Sequence, residues 1–187
     1  SDLGAEKFFD IKCRFGGLKP SCVVLVATIR ALKYNGGVPK TELTAENVEA
    51  LEKGVVNLKT HIENMHKFGL PVVVAINRFH TDTDAEIEVI KRVCAELDTP
   101  VSLAEIFAKG GEGGTDLAQK VCDTIETAEN NFHYLYDEKL SIKEKLDTIA
   151  KEIYRADGVI FTKQAEKALK EIEDLGFGGT PVCVAKT

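Results

Sequence analysis

Two kinds of hydrophobic pattern alternate along the chain, and their alternation predicts the fold class. Short apolar runs without polar alternation occur five times, at 22–27, 71–76, 100–104, 158–161 and 181–185. Runs of this kind are typical of strands that are covered on both faces, as in a parallel sheet between helices. Segments with helical spacing lie between them. The order strand then helix, repeated four or more times, predicts parallel strands joined by crossover helices.

The helical segments carry start and stop signals of their own. The longest apolar stripe runs from Val48 to Met65, and Gly69 is placed to end that helix in a left-handed conformation. Gly54 interrupts the stripe at an expected cost of about 1 kcal/mol relative to alanine. Capping boxes are predicted at Thr83 with Glu86 and at Ser141 with Glu144, and further stripes at 87–97, 117–125, 142–153 and 169–175, the last ended by Gly176.

The two ends of the chain and one internal segment depart from this alternation of strands and helices. Segment 128–140 is polar and then aromatic, and it is expected to be a long connection or the edge of a subdomain spanning 128–187. The first strand is preceded by a lone helical segment, and nothing follows the last apolar run to cover the sheet. We therefore expect residues 1–187 to form one partial α/β domain of a larger protein.

Composition and charge exclude several classes of protein. The 187 residues contain 24 Lys and Arg against 30 Asp and Glu, for a net charge of −6, which argues against a basic nucleic-acid binder. No apolar run approaches the roughly 18 residues of a membrane helix, and no signal peptide is visible at the start. The five cysteines are scattered without a Cys-x-x-Cys pair, which favours reduced thiols in a cytoplasmic protein.

Polar residues follow most of the predicted strands. In open α/β sheets, ligands bind beyond the carboxyl ends of the strands, so a group of cations there favours a local anion site on an otherwise acidic protein. Ordinary solvent exposure after buried strands is the alternative explanation. The residues concerned are Thr28 and Arg30, Asn77 and Arg78, Lys109, and Lys186 with Thr187.

The most specific short motif is Lys109-Gly110-Gly111-Glu112-Gly113-Gly114, between the third strand and the following helix. Four glycines in five residues let the backbone approach a ligand and present N–H groups to it, and the helix N-terminus that follows favours an anion. A flexible glycine loop without a ligand is the alternative. Glu112 would repel an anion, so we expect it to face a metal, a neighbouring loop or solvent.

The second strand ends in Asn77, followed by Arg78. A side-chain amide offers both a donor and an acceptor, which suits the edge of a purine, although a local turn would use Asn77 equally well. Residues 81–84 (TDTD) are interpreted as helix capping. The four histidines have no metal-ligand spacing, so no metal site is predicted, and no G-x-x-x-x-G-K-[ST] phosphate loop occurs in the sequence.

Several blocks taken together resemble one family. They are GAEKFFDIKCR (4–14), GLKP (17–20), VATIRALK (26–33), VAINRF (74–79), AKGGEGG (108–114), LGFG (175–178) and PVCVAKT (181–187). In this order they closely resemble the formate–tetrahydrofolate ligases, also called formyltetrahydrofolate synthetases. Because the blocks cover essentially the whole chain, the likeness is far more specific than any single motif.

The resemblance implies an activity and a setting. The family makes 10-formyltetrahydrofolate from formate and tetrahydrofolate through formyl phosphate, using ATP with Mg²⁺ in one-carbon metabolism, and it also admits a monovalent cation. It implies a P-loop NTPase-like, nucleotide-binding fold and a cytoplasmic homotetramer, without nucleic-acid or membrane partners. The chain resembles a central piece of such an enzyme. The family's phosphate loop would precede this chain and the aromatic residues that hold the pterin would follow Thr187, so the chain alone is expected to be inactive.

Site roles carried over from the resemblance are specific to residues. Lys109 and Arg30 are expected to be catalytic, Gly110, Gly111, Glu112, Gly113 and Gly114 to bind phosphate or formyl phosphate, and Asn77, Arg78 and Thr28 to lie on the nucleotide side. His80 is given no role. Two other interpretations stay open at this stage: a stand-alone phosphate-binding or nucleotide-binding α/β module without catalysis, and a scaffold whose glycine loop is disordered.

Overall fold

The computed structural model describes residues 4–185, which form two compact units: residues 20–131, and the described part (4–19 and 132–185) of the unit of residues 1–19 and 132–187. Within residues 4–185, no helix combines the length and apolar character that crossing a membrane requires. The elements in chain order are α1 (Ala5–Lys7), a π-helix (Phe8–Cys13), α2 (Arg14–Gly16), β1 (Val23–Ala27), α3 (Ile29–Asn35), a 3₁₀ turn (Lys40–Glu42), α4 (Val48–His66), β2 (Val72–Asn77), α5 (Asp84–Glu96), β3 (Val101–Ala104), α6 (Ile106–Lys109), a second 3₁₀ turn (Gly110–Gly114), α7 (Thr115–Thr127), α8 (Ile142–Glu152) and α9 (Lys163–Asp174).

The unit of residues 20–131 is an α/β layer structure built on a parallel sheet. Its strands lie in the order β1-β2-β3, with Val24 opposite Val73 and Ala75 opposite Ser102. One face packs against α3, α4 and α5 through a single apolar core. On the other face, the Ser102 hydroxyl donates a hydrogen bond to Asp116 of α7. The predicted α/β class, the first three strands and the helices on both faces of the sheet are thereby confirmed.

The strands are not covered equally by the helices, so the expectation that every apolar run is buried on both faces is wrong for β1. β2 is buried on both faces from Val72 to Ile76, as its uninterrupted apolar run predicts. In β1, however, Val24 and Val26 are 42% and 62% exposed. β1 is an edge strand, whereas α7 packs against β2 and β3. An unbroken run of valines therefore does not by itself establish that both faces of a strand are covered.

Gly54 is a close-approach position rather than a weak point of its helix. The helix α4 is continuous through it, and Gly69 adopts a left-handed conformation (φ 72°) after its end, as predicted. A Cβ atom on Gly54 would lie 1.8 Å from the carbonyl oxygen of Leu32 in α3. Gly36 is constrained in the same way, because its Cβ would lie 1.8 Å from the carbonyl oxygen of Ala50. The two helices approach so closely that only glycine fits at either position.

A buried ion pair joins α3 to α5 beside this contact. The Lys33 Nζ lies 2.8 Å from a carboxylate oxygen of Glu86, and both side chains are fully buried. Lys33 also donates to the Ala45 carbonyl oxygen, and Glu86 accepts from the backbone N–H groups of Asn47 and Thr83. Burial raises the pKa of Glu86, but these hydrogen bonds and the lysine charge outweigh burial and lower it overall. The carboxylate thus completes the capping box predicted at Thr83.

In the unit of residues 1–19 and 132–187, all regular elements within the described residues 4–19 and 132–185 are helices, and irregular segments connect them. The capping box at Ser141 is confirmed, and Gly176 (φ 86°) follows α9 as predicted. The strands predicted at 158–161 and 181–185 are wrong: both segments are irregular, and Ile160 is 97% exposed. A strand needs a neighbour to pair with, and the described residues of this unit contain no strand.

The polar interior of this unit centres on Asp10 in the π-helix. Asp10 is buried, accepts a hydrogen bond from the Leu135 backbone N–H and lies 3.5 Å from the Arg14 guanidinium. Burial, the largest cause, raises its pKa to about 6. Elsewhere in the unit, the buried Lys145 donates to the carbonyl oxygens of Gly178 and Thr180. The predicted organisation, one partial domain over 1–187 with a subdomain edge at 128–187, stays a prediction.

Candidate functional site

The carboxyl ends of the three strands form one edge of the sheet, and the predicted residues that follow β1 contact the loop that follows β2. Thr28 caps α3, its hydroxyl oxygen accepting a hydrogen bond from the Ala31 N–H at 3.2 Å. The Arg30 guanidinium lies 4.2 Å from the centroid of the Phe79 ring and donates to the Thr81 hydroxyl at 3.2 Å. Arg30 is therefore fixed against this loop by a cation–π contact and a hydrogen bond.

The loop after β2 is held in shape by Asp82 and by the cap of α5. One oxygen of the buried Asp82 carboxylate accepts a hydrogen bond from the Phe79 backbone N–H at 2.8 Å. The Thr83 hydroxyl oxygen accepts from the Glu86 N–H at the start of α5, and the Thr83 N–H donates in return to the Glu86 carboxylate, so helix capping within residues 81–84 is confirmed at Thr83. A structured loop thus sets the positions of the Arg78 and Phe79 side chains.

One carboxylate, Glu105, joins the two cations that follow β2 and β3. Its oxygens lie 3.3 Å from Arg78 Nη1 and 2.5 Å from Lys109 Nζ. The hydrogen bond from Lys109, with a smaller contribution from Arg78, holds the pKa of Glu105 below its usual value. Arg78 also lies 3.7 Å from the exposed Asp84. The structure therefore brings Arg78 and Lys109 together as predicted, but through an acidic residue that the sequence interpretation missed.

The glycine motif forms a regular 3₁₀ turn between α6 and α7. Gly110 has a positive φ of 62°, and the Glu105 N–H donates to the Gly113 carbonyl oxygen at 3.0 Å. A Cβ on Gly113 would lie 2.4 Å from the Glu105 carbonyl oxygen, so the turn closes over Glu105 only with glycine there. At Gly110 and Gly111, by contrast, an added Cβ would meet no heavy atom within 4 Å, and Glu112 is exposed. This stretch of backbone is open to a ligand.

A cavity of about 590 Å³ opens beside these groups. Phe107 is fully exposed at its margin, and Asn77, at the end of β2, is also exposed. Aromatic rings together with an amide and a cation–carboxylate pair suit a flat heterocycle with a polar rim. The lining residues are Asn77, Arg78, Phe79, His80, Glu105, Phe107 and Ala108.

Part of this lining could have been found from the sequence. Asn77 and Arg78 were predicted as residues that follow a strand. Phe107 was overlooked, although it directly precedes the Ala-Lys-Gly-Gly stretch, and Glu105 was overlooked although it stands four residues before Lys109. Lys186 and Thr187, also predicted from the strand exits, lie outside the described residues.

The donor set at this edge does not form a metal-binding cluster. Within residues 4–185, no group of three or more histidine, cysteine, aspartate or glutamate side chains is placed to hold a metal ion. Glu105 is engaged with two cations, and Asp82 with the backbone of its own loop.

A comparison with known protein families identifies the family of the chain. The family described as formate--tetrahydrofolate ligase has a model that matches residues 1–187, the entire chain. The match includes the strands, the glycine turn and the cavity residues described above. Such full-length agreement establishes membership, and the chain belongs to the formate–tetrahydrofolate ligase family.

Proposed function

We propose that the sheet edge of residues 20–131 contributes to the active site of an ATP-dependent ligase that makes 10-formyltetrahydrofolate through formyl phosphate. The observation that carries the proposal is the grouping of Arg78, Lys109 and the open glycine backbone at one edge, in a chain of this family. Arg30 contacts the same loop that carries Arg78. Cations and backbone N–H groups are what phosphoryl and acyl transfer require to stabilise developing negative charge.

In the proposed reaction, a formate oxygen attacks the γ-phosphorus of ATP, ADP leaves, and formyl phosphate forms. An amine nitrogen of tetrahydrofolate then attacks the formyl carbon, and inorganic phosphate leaves. Mg²⁺, when bound with ATP, supplies further neutralisation of phosphate charge. In this reaction the exposed Lys109 ammonium and the open backbone at Gly111 would bind the phosphoryl oxygens, while Arg30 and Arg78 orient the loop beside them. The Gly110 N–H already donates to the Ile106 carbonyl oxygen.

We assign the cavity to the pterin ring of tetrahydrofolate, which departs from the expectation that the aromatic residues holding the pterin follow Thr187. Phe107 offers a fully exposed ring, Phe79 lines the same cavity, and Asn77 can donate to and accept from the polar edge of the ring. A volume of about 590 Å³ is ample for a bicyclic heterocycle. The adenine of ATP is the second candidate, favoured by the Asn77 amide, which would place Asn77, Arg78 and Thr28 on the nucleotide side.

A ring-stacking variant distinguishes the two candidates. Phe107→Ala should weaken tetrahydrofolate binding by about tenfold or more, because stacking on an aromatic side chain is worth about 1–3 kcal/mol. Binding of ATP with Mg²⁺ should not change. Both affinities are measured by calorimetry on the full chain under anaerobic conditions, and Phe15→Ala serves as the control, since Phe15 is a 72% exposed phenylalanine in the other unit.

The outcomes separate the proposals. Loss of ATP affinity without loss of tetrahydrofolate affinity would assign the cavity to the nucleotide base instead. Unchanged affinity for both ligands would reject the cavity as a ring-binding site. We also propose that residues 1–187 do not turn over by themselves, because their sequence lacks a G-x-x-x-x-G-K-[ST] loop. Formation of 10-formyltetrahydrofolate by the purified chain would refute that proposal.

A further inference from the structure

The side chain of Glu105 occupies the place where the proposed site would hold an anion. Its two oxygens contact the two cations, one from the end of β2 and one from α6, at 3.3 Å and 2.5 Å. The backbone of Glu105 is fixed by the glycine turn, since its N–H donates to Gly113 and its carbonyl accepts from Lys109. Only the side chain of Glu105 is therefore free to leave this position while the surrounding loops keep their shape.

These contacts are of the kind that a ligand can exchange. The side chains of Glu105, Arg78 and Lys109 are 22%, 32% and 56% exposed. Ion pairs that water reaches contribute little free energy, and losing one of them shifts a binding or folding equilibrium by about fivefold at most. The Lys33–Glu86 pair of the same unit is the contrast: both side chains are fully buried, and no ligand could replace either partner.

We propose that Glu105 acts as an internal competitor for the substrate anion, so that only anions that bind Arg78 and Lys109 more strongly than its own carboxylate does, such as phosphate groups carrying two or more negative charges, occupy this locus. The inference rests on the proposed function of this edge. A single carboxylate such as formate would only exchange one monoanion for another at Arg78 and Lys109. A polyphosphate or an acyl phosphate brings more charge and more acceptor oxygens, and it therefore displaces Glu105 at a net gain.

Glu105 is accordingly a positioning residue that also sets how strongly an anion must bind to occupy this locus. In the absence of ligand, Glu105 keeps the Arg78 and Lys109 side chains directed at one point. Ligand binding then costs less side-chain conformational entropy. Displaced by phosphate, its carboxylate turns toward the cavity that it already lines. Loss of the carboxylate should therefore strengthen anion binding, which a purely structural role for Glu105 would not do.

The test uses the full chain with inorganic pyrophosphate and with formate as probes, and calorimetry as the measurement. Because Glu105 forms two ion pairs that water reaches and competes with every anion alike, Glu105→Gln should bind both pyrophosphate and formate more tightly than the unchanged chain does, by up to about twentyfold. Glu105→Asp, which restores a carboxylate, should return both values toward those of the unchanged chain. Glu88→Gln removes one carboxylate from an exposed pair with Lys91 and should change neither value.

Each remaining result has one meaning. Pyrophosphate binding that is equal or weaker in Glu105→Gln overturns the competitor role but leaves the anion site in place. Absence of pyrophosphate binding in both the unchanged chain and Glu105→Gln overturns the competitor role together with the proposed anion site. Glu105→Ala provides the same comparison if the glutamine variant fails to fold, which circular dichroism would show.

Discussion

Gly54→Ala is the substitution for which local sequence rules and the structure predict opposite results. Within a helix, alanine is favoured over glycine by about 1 kcal/mol, so propensity alone predicts a more stable protein. In the structure, the added Cβ would lie 1.8 Å from the Leu32 carbonyl oxygen and 2.8 Å from the Gly36 nitrogen. Both of these are backbone atoms, which cannot rotate away as a flexible side chain would.

The size of the effect follows from that distance. To bring the Cβ out to about 3 Å, α3 and α4 would have to separate by about 1 Å, through a core that includes Leu32, Leu51 and Val55. Overpacking of a well-packed core costs about 1–3 kcal/mol and occasionally more, and α3 is also tied to α5 through Lys33. Because the atoms that the Cβ would meet are backbone, we expect the upper end of this range, about 3 kcal/mol, and subtracting the gain of about 1 kcal/mol in propensity leaves a net loss of about 2 kcal/mol.

Urea unfolding followed by far-ultraviolet circular dichroism measures this loss as a lower midpoint at an unchanged slope. Hydrogen exchange of α3 and α4 peptides locates the loss within residues 20–131, which is useful because the chain has no tryptophan to report on either unit. Gly111→Ala is the matched control. Its Cβ would meet no heavy atom within 4 Å, so its free energy of unfolding should change by less than about 0.5 kcal/mol. A Gly54→Ala protein as stable as its parent, or more stable, would refute the close-approach argument.

Three further substitutions test the buried polar groups. Lys33→Met leaves the Glu86 carboxylate buried without its cation and should cost about 3–5 kcal/mol in urea unfolding, part of which the added change Glu86→Gln should recover. Asp10→Asn should remove one pH dependence of the stability. The pKa of Asp10, raised to about 6, means that the folded state binds this proton more tightly than the unfolded state, so the stability from this group falls by up to about 3 kcal/mol as the pH rises from 4 through 6. In thermal melts, going from pH 4.5 to pH 7 should therefore cost Asp10→Asn less stability than it costs the unchanged chain. Lys145→Met removes two hydrogen bonds to the 177–180 turn and should speed cleavage there in limited proteolysis.

Features that depend on neighbours in sequence were predictable. The first three strands lie within a residue of their apolar runs, and the two capping boxes and the left-handed Gly69 and Gly176 lie where their spacing places them. Each of these depends on the sequence within one helical turn or one short run. The chemistry of a cap or of a positive φ is therefore readable without a structure.

Features that depend on a partner distant in sequence were not predictable from the sequence. The apolar runs at 158–161 and 181–185 have the composition of strands but no strand to pair with among the described residues of their unit. Gly54 looked unfavourable for its helix because the Leu32 carbonyl that it accommodates lies on another element. Phe107 was overlooked for a related reason, since its full exposure beside a cavity is a property of the fold and not of its neighbours.

The net charge at the candidate site was also not predictable from the sequence, because it depends on an ion pair between side chains of different elements. The same ion pair bears on how this acidic protein would bind an anion. Counting cations after the strands gives Arg30, Arg78 and Lys109, which would form a strongly positive edge if all were unpaired. In the structure Glu105 neutralises two of them, and Asp84 lies near Arg78 as well. Affinity for an anion therefore depends less on the number of cations than on how readily Glu105 gives them up. A carboxylate held by exposed pairs, on a backbone that is itself fixed, leaves readily and returns to the same place.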